Sequence, residues 1–483
     1  MRSRKLLCLH ARKATFAAIT LLTLAVGVGT PTEARANGYL TARFGSDHGT
    51  PAMANTYAVY YNPAALGGTT GTTITADVSL ALRYAHYKRP EEALSPSTNA
   101  SDRLRADPNY VAANTGDGNL LNLLALPFAG INTDFGGSPY FRAGYAVYVP
   151  FGGMATWDRR SGVPGELGST DGVQRWHNIS GQILTIYNTF AGAVVIPNTG
   201  LSFGASVSPV IQHVATTRAR TADDSDDTTN TNGTLKEGRS YLDASGVNLA
   251  ASFGAYWQSP DSRIRLGAAY LSQPGFGTSR LSGTLNGVVQ GGAYVKQDID
   301  FLQTWPDIVR VGGAWRLPND KVEFRSDLEY VRWSVFDNQC VVIKGRDCKI
   351  NPDGSSPNAQ DVVLNIPRNW KDAIGYRLGV GYFANSDLEL FASGGFATAA
   401  APKETIDAST IDAFSVSGAI GARYTVSRHF AFAASYNHIY YLPVDTKGAN
   451  KLNEFASPSK SPSADGKYTS QIGMLNANAS YTF

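Results

Sequence analysis

Charge is scarce in this chain. Asp, Glu, Lys and Arg make up 17% of its 483 residues, well below the quarter or so usual in soluble domains. Apolar residues do not take their place, since mean hydropathy is −0.18. A chain poor in charge yet not hydrophobic overall fits alternating faces better than thick buried cores. Long apolar runs are missing too: beyond the first 36 residues no stretch reaches 18 apolar residues, so no transmembrane helix is expected. Signatures of chemistry are equally absent. There is no Gly-x-Ser-x-Gly, no phosphate loop and no His-Glu-x-x-His, and Gly379-x-Gly381 falls in a predicted strand with no helix after it. No Ser/His/acid or paired-carboxylate set is displayed, and the 7 His are scattered. Neither enzyme activity, cofactor nor metal is expected.

Cysteine is almost absent, with 3 in the chain. Cys8 lies in a predicted leader over residues 1–36. Its basic start holds Arg2, Arg4, Lys5, Arg12 and Lys13, an apolar run covers Ala14 to Gly29, and Ala34-Arg35-Ala36 supplies a cleavage site. Loss of the leader removes 6 of the 42 Lys/Arg and 1 of the 39 Asp/Glu, leaving 36 against 38. Nucleic acid is therefore not an expected partner. Cys340 and Cys348 remain, and in an exported chain the pair reads as a disulfide closing a loop. Two metal-binding thiolates are the alternative, though no His stands near enough to complete a site.

What the chain has instead is 49 Gly, 24 Tyr and 21 Phe, and a period of two. In 412–425, Phe414, Val416, Gly418, Ile420, Ala422 and Tyr424 share one face, while Ser415, Ser417, Ala419 and Arg423 share the other. A strand separates these sets and a helix mixes them. In 321–331, Lys321, Glu323, Arg325, Asp327 and Glu329 oppose Val322, Phe324, Leu328 and Tyr330. Those charges suit either the wet face of a soluble sheet or a polar lumen whose opposite charges pair. Fourteen such strands are predicted, near 73–87, 119–134, 139–153, 179–196, 201–214, 243–257, 262–274, 304–317, 320–335, 370–383, 387–399, 411–425, 429–442 and 469–483.

Their connections alternate between tight turns and long polar loops, the latter around 88–118, 154–178, 215–242, 275–303, 336–369, 400–410 and 443–468. That asymmetry is the habit of outer-membrane barrels. Aromatics beside the short turns, such as Trp257, Trp315, Phe383 and Phe483, suit a membrane interface. In lipid every backbone polar group must be paired within the protein, so a spanning sheet has to close. The predicted fold is all-β, a transmembrane antiparallel barrel of 14 strands over 72–483. The acidic run Asp223, Asp224, Asp226 and Asp227 in one long loop reads as solvated surface or as a divalent-cation site. Residues 37–71 lack alternation but carry Phe44, Met53, Tyr57, Tyr60 and Tyr61. They are predicted to fold into the lumen as a hatch, ending in Asn62-Pro63-Ala64, with Asn62 capping backbone N–H groups and Pro63 opening a short helix.

The hatch motif, the strand count and the stretches "WPDIVRVGGAWRL", "DLEYVRWSVF", "NWKDAIGYRLGVGYF" and "FASGGFATAAAP" resemble the FadL/TodX family of outer-membrane transporters for long-chain fatty acids and other hydrophobic compounds. The resemblance implies passive transport across the outer membrane of a Gram-negative bacterium. It further implies that ligand leaves a pocket in the barrel through a lateral gap after the hatch moves, the gap being made by a kinked third strand. Here that strand reads "YFRAGYAVYVPFGGMATW", and Pro150, Phe151, Gly152 and Gly153 are its candidate kink, because proline lacks a ladder N–H. Candidates for a carboxylate site are His213, Arg218, Arg368 and Lys371, and for the apolar hatch surface Phe44, Met53, Tyr57 and Tyr60. Implied partners are outer-membrane lipid and lipopolysaccharide and a fatty acid or hydrocarbon ligand, the protein acting as a monomer. A general diffusion porin and a structural or adhesive barrel are the rival readings.

Overall fold

The computed structural model describes residues 43–97, 101–230, 232–288 and 294–483. The leader predicted over 1–36 lies outside them, as do the first residues of the predicted hatch.

Among the described residues, nineteen antiparallel strands form one sheet that closes on itself. The first part of the wall comprises β1 (Thr72–Arg89), β2 (Gly116–Thr133), β3 (Phe141–Tyr148), β4 (Gly152–Thr156), β5 (Ser180–Ile196), β6 (Leu201–Arg220) and β7 (Gly238–Gln258). The next comprises β8 (Ile264–Leu271), β9 (Thr278–Val288), β10 (Tyr294–Thr304), β11 (Ile308–Arg316), β12 (Val322–Val331), β13 (Asn338–Ile343) and β14 (Val362–Pro367). The last comprises β15 (Ala373–Phe383), β16 (Leu388–Ala397), β17 (Ser415–Thr425), β18 (Phe430–Asp445) and β19 (Lys467–Thr482). Five pairs are successive pieces of one stave: β3 with β4, β8 with β9, β10 with β11, β12 with β13, and β14 with β15. Counted by stave, the barrel has fourteen strands. The seam is closed by β1 and β19, in register from Thr73↔Thr482 to Lys88↔Lys467.

Alternation sorts the two faces. On β1, Ile74, Val78, Leu80, Leu82 and Tyr84 are exposed on the outside, while Thr75, Asp77 and Ser79 are buried within. An apolar exterior with a polar interior inverts the soluble pattern and matches a wall set in lipid.

The structure corrects two predicted loops. Most of 275–303 is the hairpin β9–β10, and 336–369 contains the hairpin β13–β14. These strands continue the sheet beyond β8, β11, β12 and β15, with β9 on β7, β10 on β13, and β13 on β14. The staves are interrupted at 149–151, 272–277, 305–307, 332–337 and 368–372. Pro150, Pro274 and Pro306 sit in three of these breaks, and Pro367 borders a fourth, each removing one ladder donor. Freed from the ladder, large aromatic residues of four of the breaks turn inward. Phe151, Trp305, Trp333, Phe336 and Trp370 are buried together, with ring centroids 5.2 Å apart for Phe151–Trp305 and 4.7 Å for Trp333–Trp370. Cys340 and Cys348 form a disulfide that ties β13 to the loop beyond it.

Candidate functional site

Residues 43–71 lie inside the lumen near the short-turn rim, as three short helical turns, Ser46–His48, Ala58–Tyr61 and Pro63–Gly68. The motif does two jobs there. Asn62 Oδ1 accepts from the Ala64 N–H at 3.1 Å, capping the last turn, with Pro63 in its first position. Its Nδ2 donates to Pro51 O at 2.9 Å and to Ala255 O on the wall at 3.0 Å. The wall makes room with glycines. A Cβ on Gly254 would stand 2.0 Å from Asn62 Oδ1, and one on Gly204 would stand 2.4 Å from Ala64 N.

Charge pairing secures the rest of the hatch. Arg325 faces Asp47 at 3.2 Å and Glu323 at 2.8 Å, and also pairs with Glu389. His48 meets Glu389 at 2.9 Å. Arg310 pairs with Glu329 at 2.7 Å and donates to both oxygens of Tyr60. Asp77 accepts from the Gly45 N–H at 2.7 Å and from Tyr57 Oη at 2.8 Å. The charged face of β12 predicted from sequence is thus the polar lumen, and its charges serve the hatch.

Above the hatch lies an apolar cavity of about 110 Å³. Its apolar lining includes Leu124, Ile183, Val214, Leu242, Phe301 and Ile472, and its polar side holds His177, Asn178, Arg218 and Arg368. Two of the four predicted basic residues are therefore there, and they differ. Arg368 is spoken for: it contacts Asp407 at 3.1 Å, Thr410 at 2.8 Å and Gln339 at 3.0 and 2.8 Å. Arg218 is buried, its Nε lacks a hydrogen-bond partner, and among the described residues it forms no ion pair. His177 Nε2 and Asn178 Oδ1 are likewise buried without partners. Burial pulls the His177 imidazole down to about 4, the carboxylate of Asp407 opposing that shift.

His213 lies elsewhere. It shares the outward face of β6 with Phe203, Val207 and Ile211, and contacts Asp243 at 3.2 Å. Lys371 is exposed in the break before β15. Phe44, Met53, Tyr57 and Tyr60 are buried, but none lines the cavity. Phe44 packs instead on Phe128 and Tyr148, with centroids 5.5 and 5.8 Å away, and Tyr57 packs on Phe128 at 4.8 Å. The acidic loop is stitched internally: Asp226 to Arg89 and Tyr110, Asp223 and Asp227 to Lys236, Asp224 to Ser457. Among the described residues no His, Cys, Asp and Glu cluster could hold a metal ion.

The predicted kink borders the cavity through Gly152 and Gly153. The ladder between β2 and the third stave runs from Thr133↔Ala143 to Phe128↔Tyr148 and stops there. β4 pairs only with β5. Strand pairing with β2 resumes in the single bridge Leu120↔Trp157. Between these points the wall has no backbone ladder, and Leu124 of β2 and Met154 of β4 face the cavity across the gap.

A closed barrel of fourteen staves, an internal N-terminal hatch and an apolar chamber at an interrupted third stave stand together with a family match. The model for outer membrane protein transport protein (OMPP1/FadL/TodX) matches residues 30–483. The chain belongs to the FadL/TodX family. It is accordingly a protein of the Gram-negative outer membrane, in a family of transport channels for hydrophobic compounds. Solved members share the fold at low identity. A Pseudomonas aeruginosa FadL homologue is 15% identical, with TM-score 0.71 over 92% of this chain and 100% of that one. The Ralstonia pickettii toluene transporter TbuX is 15% identical, with TM-score 0.58 over 93% and 99%. The P. putida toluene transporter TodX is 13% identical, with TM-score 0.59 over 93% and 99%. No curated protein matches the chain.

Proposed function

We propose that this FadL/TodX member passively carries amphipathic molecules with an apolar tail and an acidic head, fatty acids being the leading class. Ligand enters from the long-loop rim, rests in the chamber with its head at Arg218, and leaves sideways between β2 and β4. The observation that carries this reading is a buried cation, without an ion pair among the described residues, in an apolar chamber that abuts a gap in the wall. An isolated buried charge is costly, and an acidic head would offset that cost while its tail covers Leu124, Ile183 and Phe301. Aromatic or aliphatic hydrocarbons fit the apolar part but leave Arg218 uncompensated.

The hatch closes the lumen below the chamber and also touches the lower sill of the gap. Phe128 and Tyr148 are the last ladder pair beneath it, and Phe44 packs on both rings. Movement of Phe44 and its neighbours is therefore the step coupled to release. Transport of this kind needs no chemistry on the ligand and no cofactor, and a single chain in lipid and lipopolysaccharide suffices.

A second route is favoured by one observation. Tyr441 lines both the chamber and a smaller cavity of about 50 Å³ beside the hatch. That cavity is walled by Arg310, Asp327, Glu329 and Arg377, a poor surface for an apolar tail, so the sideways route is preferred. The test is uptake of radiolabelled dodecanoate by proteoliposomes carrying Gly152→Val/Gly153→Val, with barrel assembly checked by heat-modifiable gel mobility. Uptake should fall by about tenfold or more, as expected when a path is blocked by over 1 kcal/mol of overpacking. Unchanged uptake in an assembled barrel would sink the sideways exit. Rapid swelling of wild-type liposomes in small sugars would instead favour a diffusion porin.

A further inference from the structure

The gap between β2 and the third stave is unladdered but not untied. Asn122 belongs to the inward set of β2, with Leu120, Leu126 and Phe128, and it lines the chamber. Its side-chain Oδ1 accepts from the Thr156 N–H at 2.8 Å, and its Nδ2 donates to Thr156 O at 3.3 Å and to its own neighbour Leu121 O at 3.0 Å. Two bonds from one amide to the N–H and C=O of one residue copy what a facing strand residue provides in an antiparallel ladder. The donor and acceptor come from a side chain because β4 follows the inward-turned Phe151, out of reach of the β2 backbone. Just beyond, the Asp158 N–H donates to Asn119 O at 2.8 Å and Leu120 bridges to Trp157. The gap thus has two sills: Phe128 and Tyr148 at the hatch end, Asn122 and Thr156 at the long-loop end.

We propose that Asn122 is a positioning residue for release, a side-chain latch that sets the height of the lateral opening and so the girth of the molecule that can leave. The proposal rests on the sideways exit and adds to it a selectivity element. An apolar filter alone would discriminate weakly by shape, because side chains such as Leu124 and Met154 yield. A hydrogen-bonded pair of main-chain groups yields less, since opening it leaves Thr156 N–H and O unpaired beside an apolar chamber. Slim chains pass beneath the latch, whereas a bulky ring requires it to open.

The experiment compares uptake of dodecanoate with that of a pyrene-labelled dodecanoate in proteoliposomes bearing the full-length protein. Asn122→Ala should raise the ratio of pyrene-labelled to plain uptake by about fivefold, the factor expected when a hydrogen bond of typical net strength is lost. Plain dodecanoate should change by less than about twofold on the same reasoning. Asn122→Asp keeps the acceptor for the Thr156 N–H but sets a carboxylate oxygen against Thr156 O and Leu121 O, so its ratio should also rise above that of the wild type. A raised ratio with near-normal plain uptake separates a latch from a residue that merely holds the barrel together, and the aspartate variant supplies that reading if the alanine variant assembles poorly. An unchanged ratio in assembled Asn122 variants, with the Gly152→Val/Gly153→Val barrel blocked, would overturn the latch and leave the exit standing. Should that glycine variant also transport normally, the exit fails and the latch with it.

Discussion

The two ends of this lumen treat charge in opposite ways. Near the short-turn rim three wall cations that touch the hatch have acidic partners: Arg310 with Glu329, Arg325 with Asp47, Glu323 and Glu389, and Arg377 with Asp327. In the chamber Arg368 pairs with Asp407, but Arg218 is buried and, among the described residues, forms no ion pair, and His177 and Asn178 carry unpartnered polar atoms. The wall follows the same division. Around the hatch the staves are continuous, while towards the chamber five of them are interrupted. The hatch end holds a piece of the same chain among paired charges. No described hatch residue lines the chamber.

Four changes sharpen or break that contrast. The largest effect is expected from Arg325→Leu, which strands Asp47, Glu323 and Glu389 without their shared cation. Breaking a buried pair in this way costs about 3–5 kcal/mol, so the folded barrel should lose its gel-shift resistance at lower temperature and the hatch should become protease-sensitive. Gly254→Val comes next. A side chain there meets Asn62 Oδ1, an overpacking cost of about 1–3 kcal/mol, and liposome swelling in small sugars should rise as the hatch loosens.

Arg218→Gln is smaller and opposite in kind. Binding of dodecanoate should weaken by about tenfold, the lower range for hydrogen bonds to a charged group, while binding of dodecane and barrel stability hold. Equal losses for both ligands would put the acidic head elsewhere. The smallest effect is a pH dependence. Burial holds His177 at about 4 rather than its ordinary 6.5, so the unfolded chain takes up a proton before the folded one does. That contribution is complete above about 6.5 and is lost as pH falls towards 4. Heat resistance of His177→Gln should therefore drop less than that of the wild type between neutral pH and pH ~5.

The membrane part of the wall was legible because lipid on one side and a polar lumen on the other enforce strict alternation. The same rule places His213, whose parity with Phe203, Val207 and Ile211 puts it on the outer face, so its exclusion from the chamber was readable from β6 alone. Beyond the membrane both faces of a strand meet water or loops, and the pattern fades. That is why β9, β10, β13 and β14 read as loops. Pro274, Pro306 and Pro367 carried the same signal as Pro150, and the tryptophans at 305, 333 and 370 beside the breaks were its companion. Whether Arg218 or Arg368 is paired was not legible, because the partner Asp407 lies 39 residues away from Arg368 in a separate loop.

The glycines facing the hatch have one more consequence. Gly204, Gly254 and Gly267 are hollows that would collide with Ala64, Asn62 and Pro51 if they carried a side chain, so the barrel bears an imprint of its own N-terminus, like a casting of a key. Such a stopper is not a cork that can be drawn and replaced. Exchanging it for a segment of different shape would leave ridges without hollows, because each of these three wall positions is matched to one hatch residue.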